Sequence, residues 1–74
     1  MSGKSDRDIE KGYTARQFAE KLRRLADALE AGERFEIQIA GERVCVPSDA
    51  VFTVEHERGD GQEEIEFQLV WRSD

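Results

Sequence analysis

The chain predicts an α+β domain: one N-terminal helix packed on one face of a four-stranded antiparallel sheet, its strands joined as two hairpins. Three observations carry this expectation. Apolar residues at helical spacing fill residues 14–31, the period drops to two after Gly32, and glycine-containing turns divide the remainder into strands. A stripe on the helix and a face on the strands each need cover, and laying one across the other satisfies both.

Thr14 is a suitable N-cap, and Gln17 three residues later makes a capping box; Tyr13 and Phe18 stand at the positions of a hydrophobic staple. Phe18, Leu22, Leu25 and Leu29 then recur at steps of four, three and four, which places them on one helical face. Ala15, Ala19, Ala26 and Ala28 raise helix propensity, and Gly32 provides the left-handed C-cap.

In the first hairpin Phe35, Ile37 and Ile39 alternate with Glu36 and Gln38, and Val44 and Val46 alternate with Arg43 and Cys45. A Gly41-Glu42 turn of type II′ would set Ile39 opposite Val44 and Ile37 opposite Val46. Pro47 ends the second strand because it has no amide to donate. The third strand turns Phe52 and Val54 inward. Asp60-Gly61 suits a type I′ turn, and the fourth strand alternates Ile65, Phe67, Leu69 and Trp71 inward with Glu64, Glu66, Gln68 and Val70 outward. Strand order beyond the two hairpins is open.

Residues 1–12 are polar apart from a few side chains such as Ile9, so a mostly flexible tail is expected there, with an edge strand around Ile9 as one option; residues 13–72 form a single domain. At 74 residues the core is modest, since a domain this small buries only about 60% of the surface of its unfolded chain. Cys45 is the only cysteine and His56 the only histidine, so neither an intramolecular disulfide nor a Cys/His zinc site can supply a staple.

The net charge of −6 argues against nucleic acid as a partner. Lys21, Arg23 and Arg24 are interleaved with Glu20 and Asp27, the pattern of a solvated helix face. No run of about 20 apolar residues suggests a membrane span, and the N-terminus lacks the apolar stretch of a secretory signal. With a lone cysteine, these features point to the cytoplasm.

Each residue able to carry chemistry has a plainer reading beside it. A Cys45/His56 dyad would need the thiol and imidazole within hydrogen-bond reach, whereas the alternation turns Cys45 outward and His56 inward. Glu55, Glu57, Glu64 and Glu66 share the outer face if Asp60-Gly61 is the turn, which makes them candidates for a divalent-cation or basic-partner site. The preferred reading is a solubilising face, because the calcium-loop spacing is missing. Gly59-Asp60-Gly61 joins two strands and opens no helix, so it is no phosphate loop. Tyr13, Phe35 and Trp71 are candidates for a small pocket or an interaction surface, although Trp71 continues the inward phase of its strand and reads first as core.

The run Phe18-Ala19-Glu20-Lys21-Leu22-Arg23-Arg24-Leu25-Ala26-Asp27-Ala28-Leu29-Glu30 resembles the helix of amphi-Trp domains. Gly41-Glu42-Arg43-Val44 through Val46-Pro47 is similar to that family's hairpin, and Glu64-Ile65-Glu66-Phe67-Gln68-Leu69-Val70-Trp71 to its amphipathic strand ending in Trp. The likeness covers residues 14–71. It implies a small prokaryotic domain of uncharacterised function, and brings no catalytic or binding residues to carry over.

The expected function is therefore that of a small non-enzymatic interaction module without a cofactor, self-associating or docking another cytoplasmic protein. The alternative is a binder of a small ligand or divalent cation, through the aromatic residues or the acidic face.

Overall fold

The computed structural model describes residues 6–73. Helix α1 (Ala15–Ala31) is followed by strands β1 (Phe35–Ile39), β2 (Glu42–Val46), β3 (Val51–Gly59) and β4 (Gln62–Val70). The α+β layout of one helix and four antiparallel strands is as the periodicities predict.

The helix ends where its caps dictate. Gln17 donates its amide to Thr14 Oγ1 at 3.2 Å, and the Thr14 amide returns the bond to Gln17 Oε1 at 3.0 Å. At the other end Gly32 takes φ +70, and its amide and that of Glu33 reach back to the Leu29 and Ala28 carbonyls at 3.1 and 2.9 Å. Two otherwise orphaned carbonyls are thereby satisfied.

Both hairpins close through two-residue turns in which both residues have positive φ, the type I′ geometry that matches strand twist. In β3–β4 these are Asp60 (+54) and Gly61 (+76), as the sequence suggests. In β1–β2 they are Ala40 (+48) and Gly41 (+86), which corrects the expected Gly41-Glu42 turn. The register moves with the turn: Ile39 pairs with Glu42, Ile37 with Val44 and Phe35 with Val46. Each partner has shifted by two residues, and a two-residue shift leaves every side chain on its original face. The alternation is consistent with either turn, so twist decides.

The strands form two two-stranded sheets, β1–β2 and β3–β4, in place of the single four-stranded sheet expected. Alternation specifies which face of a strand is apolar but says nothing about which edges pair. The link after β2 folds into a turn in which the Ala50 amide donates to the Pro47 carbonyl at 3.3 Å, and Ala50 itself becomes buried.

The core is correspondingly small. Phe35, Val46 and Ala50 are its buried members, with Leu25, Ala28, Ile37, Leu69 and Trp71 packed around them. The helix lies on β1, and Arg24 ties the two by donating to the Glu36 carbonyl at 2.7 Å while its guanidinium sits 5.3 Å from the centre of the Phe35 ring.

The edge strand around Ile9 is corrected too: residues 6–14 hold no strand, and Ile9 is exposed. The segment is fastened by Arg7 instead, which forms an ion pair with Glu42 at 2.7 Å and donates to the Ile39 carbonyl. Residues 1–5 of the expected tail lie outside the described residues.

Candidate functional site: the two faces of the second hairpin

Nine-residue strands carry β3–β4 well past the core, and its two faces differ sharply. One face pairs Phe52 with Leu69, Val54 with Phe67 and His56 with Ile65. Only its base is covered, where Leu69 reaches the core beside Trp71. Beyond that, Phe52 is 45% exposed, Phe67 56%, Ile65 66% and Val54 67%. These residues were expected to point inward, and the correction has a mechanical cause. Since the hairpins do not join edge to edge, the helix covers the first hairpin and leaves the distal part of the second bare. At the tip, Glu63 closes the apolar strip with Arg58 at 3.4 Å and His56 Nε2 at 3.0 Å.

The other face is the predicted carboxylate ladder, with Glu55 opposite Glu66 and Glu57 opposite Glu64. Gln68 organises its lower half: Thr53 Oγ1 donates to Gln68 Oε1 at 2.8 Å, and Gln68 Nε2 donates to Glu55 and Glu66 at 3.1 Å each. Among the described residues no such donor serves the upper half. The Glu57 carboxyl is raised above its ordinary value by a hydrogen bond shared with Glu55 and by the charges of Glu55 and Glu64. Glu66 is raised first by the charge of Glu64. Among the described residues, no three Cys, His, Asp or Glu side chains are grouped so that they could hold a metal ion.

The three aromatic candidates separate. Phe35 and Trp71 belong to the core, Phe35 buried and Trp71 half-buried against it. Tyr13 lines an open groove of about 710 Å³ between the start of the helix and β1–β2. Lys21 stands over its ring at 4.7 Å, and Lys11, Arg24 and Arg43 complete a basic lining in which Glu36 is the one acidic side chain among the described residues. The sequence reading missed this basic groove because its cations come from three separate segments, each unremarkable by itself. Cys45 is exposed on β2, opposite Glu36, while His56 stands on the other hairpin and bonds Glu63.

No helix among the described residues is long and apolar enough to cross a membrane. The family model of the Amphi-Trp domain matches residues 1–74. No curated protein and no solved structure matches the chain.

Proposed function

The chain belongs to the Amphi-Trp domain family, and from that premise we propose that it is a non-enzymatic interaction module of the cytoplasm, docking a protein surface through Phe52, Val54, Ile65 and Phe67. The observation that carries this reading is their exposure, between 45% and 67%, on one continuous face. Exposed apolar patches rimmed by polar groups mark interaction sites in soluble proteins. Here the rim is the Arg58–Glu63–His56 cluster at the tip. The lone cysteine supports the cytoplasm as compartment, and the charge of −6 argues against nucleic acid and anionic membranes as partners.

The test is site-specific photocrosslinking in the cells that make the protein. A photoreactive residue at Val54 should trap a protein adduct that the same residue at Thr53, on the opposite face, does not. Equal yields at the two positions would sink the reading.

A second reading is favoured by the Tyr13 groove: Lys11, Lys21, Arg24 and Arg43 suit a small anionic ligand. Titration with pyrophosphate should then shift the amides of Lys21, Gly41 and Arg43 at micromolar to millimolar concentration. The divalent-cation version has less support, since the acidic ladder forms no three-ligand cluster among the described residues.

A further inference from the structure

We propose that the occupant of the exposed face is a second copy of this chain, with the β3–β4 hairpins of the two copies stacked apolar face to apolar face about a two-fold axis. This rests on the docking reading above and names its partner.

The first support is area. A compact monomer of 8.5 kDa exposes about 4,700 Å², whereas this chain exposes 6524 Å². Its radius of gyration is 14.0 Å, against about 11 Å for a compact chain of this length. The exposed N-terminal segment and the helix, where Phe18, Leu22 and Leu29 remain partly bare, share in the excess, and the uncovered hairpin adds the most exposed apolar pairs on one face, Val54 with Phe67 and Ile65 beside them. A standard interface takes about 800 Å² from each partner, and the face with Phe52, Val54, Ile65 and Phe67, each 45–67% exposed, is where apolar area is gathered for one.

The second support is need. An isolated two-stranded hairpin is marginal in water, and a core with three buried side chains among the described residues offers it little help. The only cysteine is free, and no metal cluster is present among the described residues. A requirement built into the fold must be met whenever the protein is made. Another copy of the chain is the one partner present at matching concentration by construction.

The third support is charge. Between Phe52–Leu69 and the tip, the exposed strip carries no charged side chain other than His56 when protonated. Two such strips can stack without setting like charges together. The ladder of Glu55, Glu57, Glu64 and Glu66 then faces outward from both sides of the sandwich, where water solvates it. The reverse stacking would bury eight carboxylates against one another.

Light scattering coupled to size exclusion, followed by nuclear magnetic resonance on the full chain, tests the proposal. The unaltered protein should run at twice 8.5 kDa, and isotope-filtered spectra of a mixed-label sample should connect Val54 and Ile65 methyls of one copy to the Phe67 ring of the other. Val54→Lys and Phe67→Lys should each halve the mass while leaving the far-ultraviolet spectrum of α1 and β1–β2 intact; Thr53→Lys, on the acidic face, should not. A dimer that survives both face substitutions, or that lacks these cross-copy contacts, overturns the stacking. A monomer at millimolar concentration overturns the second copy, and a soluble gadolinium chelate then separates two cases. Bleached Val54 and Ile65 methyls leave the face open to a different protein, so the docking reading stands. Protected methyls show the hairpin folded back on its own chain, and the docking reading falls as well.

Discussion

The two hairpins share antiparallel pairing, a type I′ turn and a strict apolar alternation, yet one forms the centre of the domain and the other stands with its apolar face in water. The difference lies in what is near them. Five-residue strands fit beneath a 17-residue helix. The second pair is nine residues long, shares no ladder with the first, and outruns the cover. An apolar stripe therefore states that something must lie on it, without stating whether that something belongs to the same chain.

Truncating one aromatic in each hairpin probes this contrast most strongly. Phe35→Ala removes a buried ring and should cost about 3–5 kcal/mol, enough to unfold much of so small a domain in a denaturant titration. Phe67→Ala should cost roughly 1 kcal/mol in dilute solution, because area already in water contributes nothing to the loss. Equal losses would mean that the second face is covered in the free chain. A Phe67→Ala loss that grows with protein concentration would point to cover from another molecule.

The turns sharpen the contrast at smaller amplitude. Gly41 and Gly61 sit at φ +86 and +76, where a side chain costs roughly 1–2 kcal/mol. Gly41→Ala should lower the global unfolding midpoint, since β1–β2 carries the core. Gly61→Ala should act locally, speeding amide exchange across residues 51–70 with little change in the midpoint. A global effect from Gly61→Ala would show the hairpins to be one cooperative unit.

The smallest effect concerns the acidic ladder. Glu57 and Glu66 are raised in the folded chain by neighbouring carboxylates, so the folded state holds their protons more tightly than the unfolded one. Their contribution to stability is full below the ordinary carboxylate range and is lost as pH rises through the raised values. Glu57→Gln should flatten that decline and slightly raise the midpoint at pH 7, and added salt should shrink the difference between the two proteins. A drop in stability on Glu57→Gln would mean that the carboxylate is bonded rather than repelled.

Local features were the most legible in the sequence. The Thr14–Gln17 box, the Gly32 cap, the Asp60-Gly61 turn and the Glu55–Glu66 and Glu57–Glu64 pairs each depend on residues close in sequence or on one hairpin register. The Ala40-Gly41 turn was missed because an alanine at positive φ opposes ordinary preference, and only the demand of strand twist outweighs it. Edge pairing between hairpins leaves no periodic mark, so one sheet and two were indistinguishable. For the site, the division of β3–β4 into an apolar and an acidic face was readable, while the exposure of the apolar face was not. The basic groove needed Lys11, Lys21 and Arg43 to converge from three segments, which no single window contains.

Arg7 bears on how such a chain holds its leading segment. Its contacts with Glu42 and Ile39 span 35 and 32 residues and close a loop around the helix, in a chain whose only cysteine is free. The helix and β1 already order most of that loop, so a guanidinium on two acceptors has only the short stretch before the helix to hold, and its contribution is modest. Unlike a covalent bridge, this latch is ionic and half in water. Its hold weakens with ionic strength, which makes the docking of residues 7–14 a property of the solution as much as of the fold.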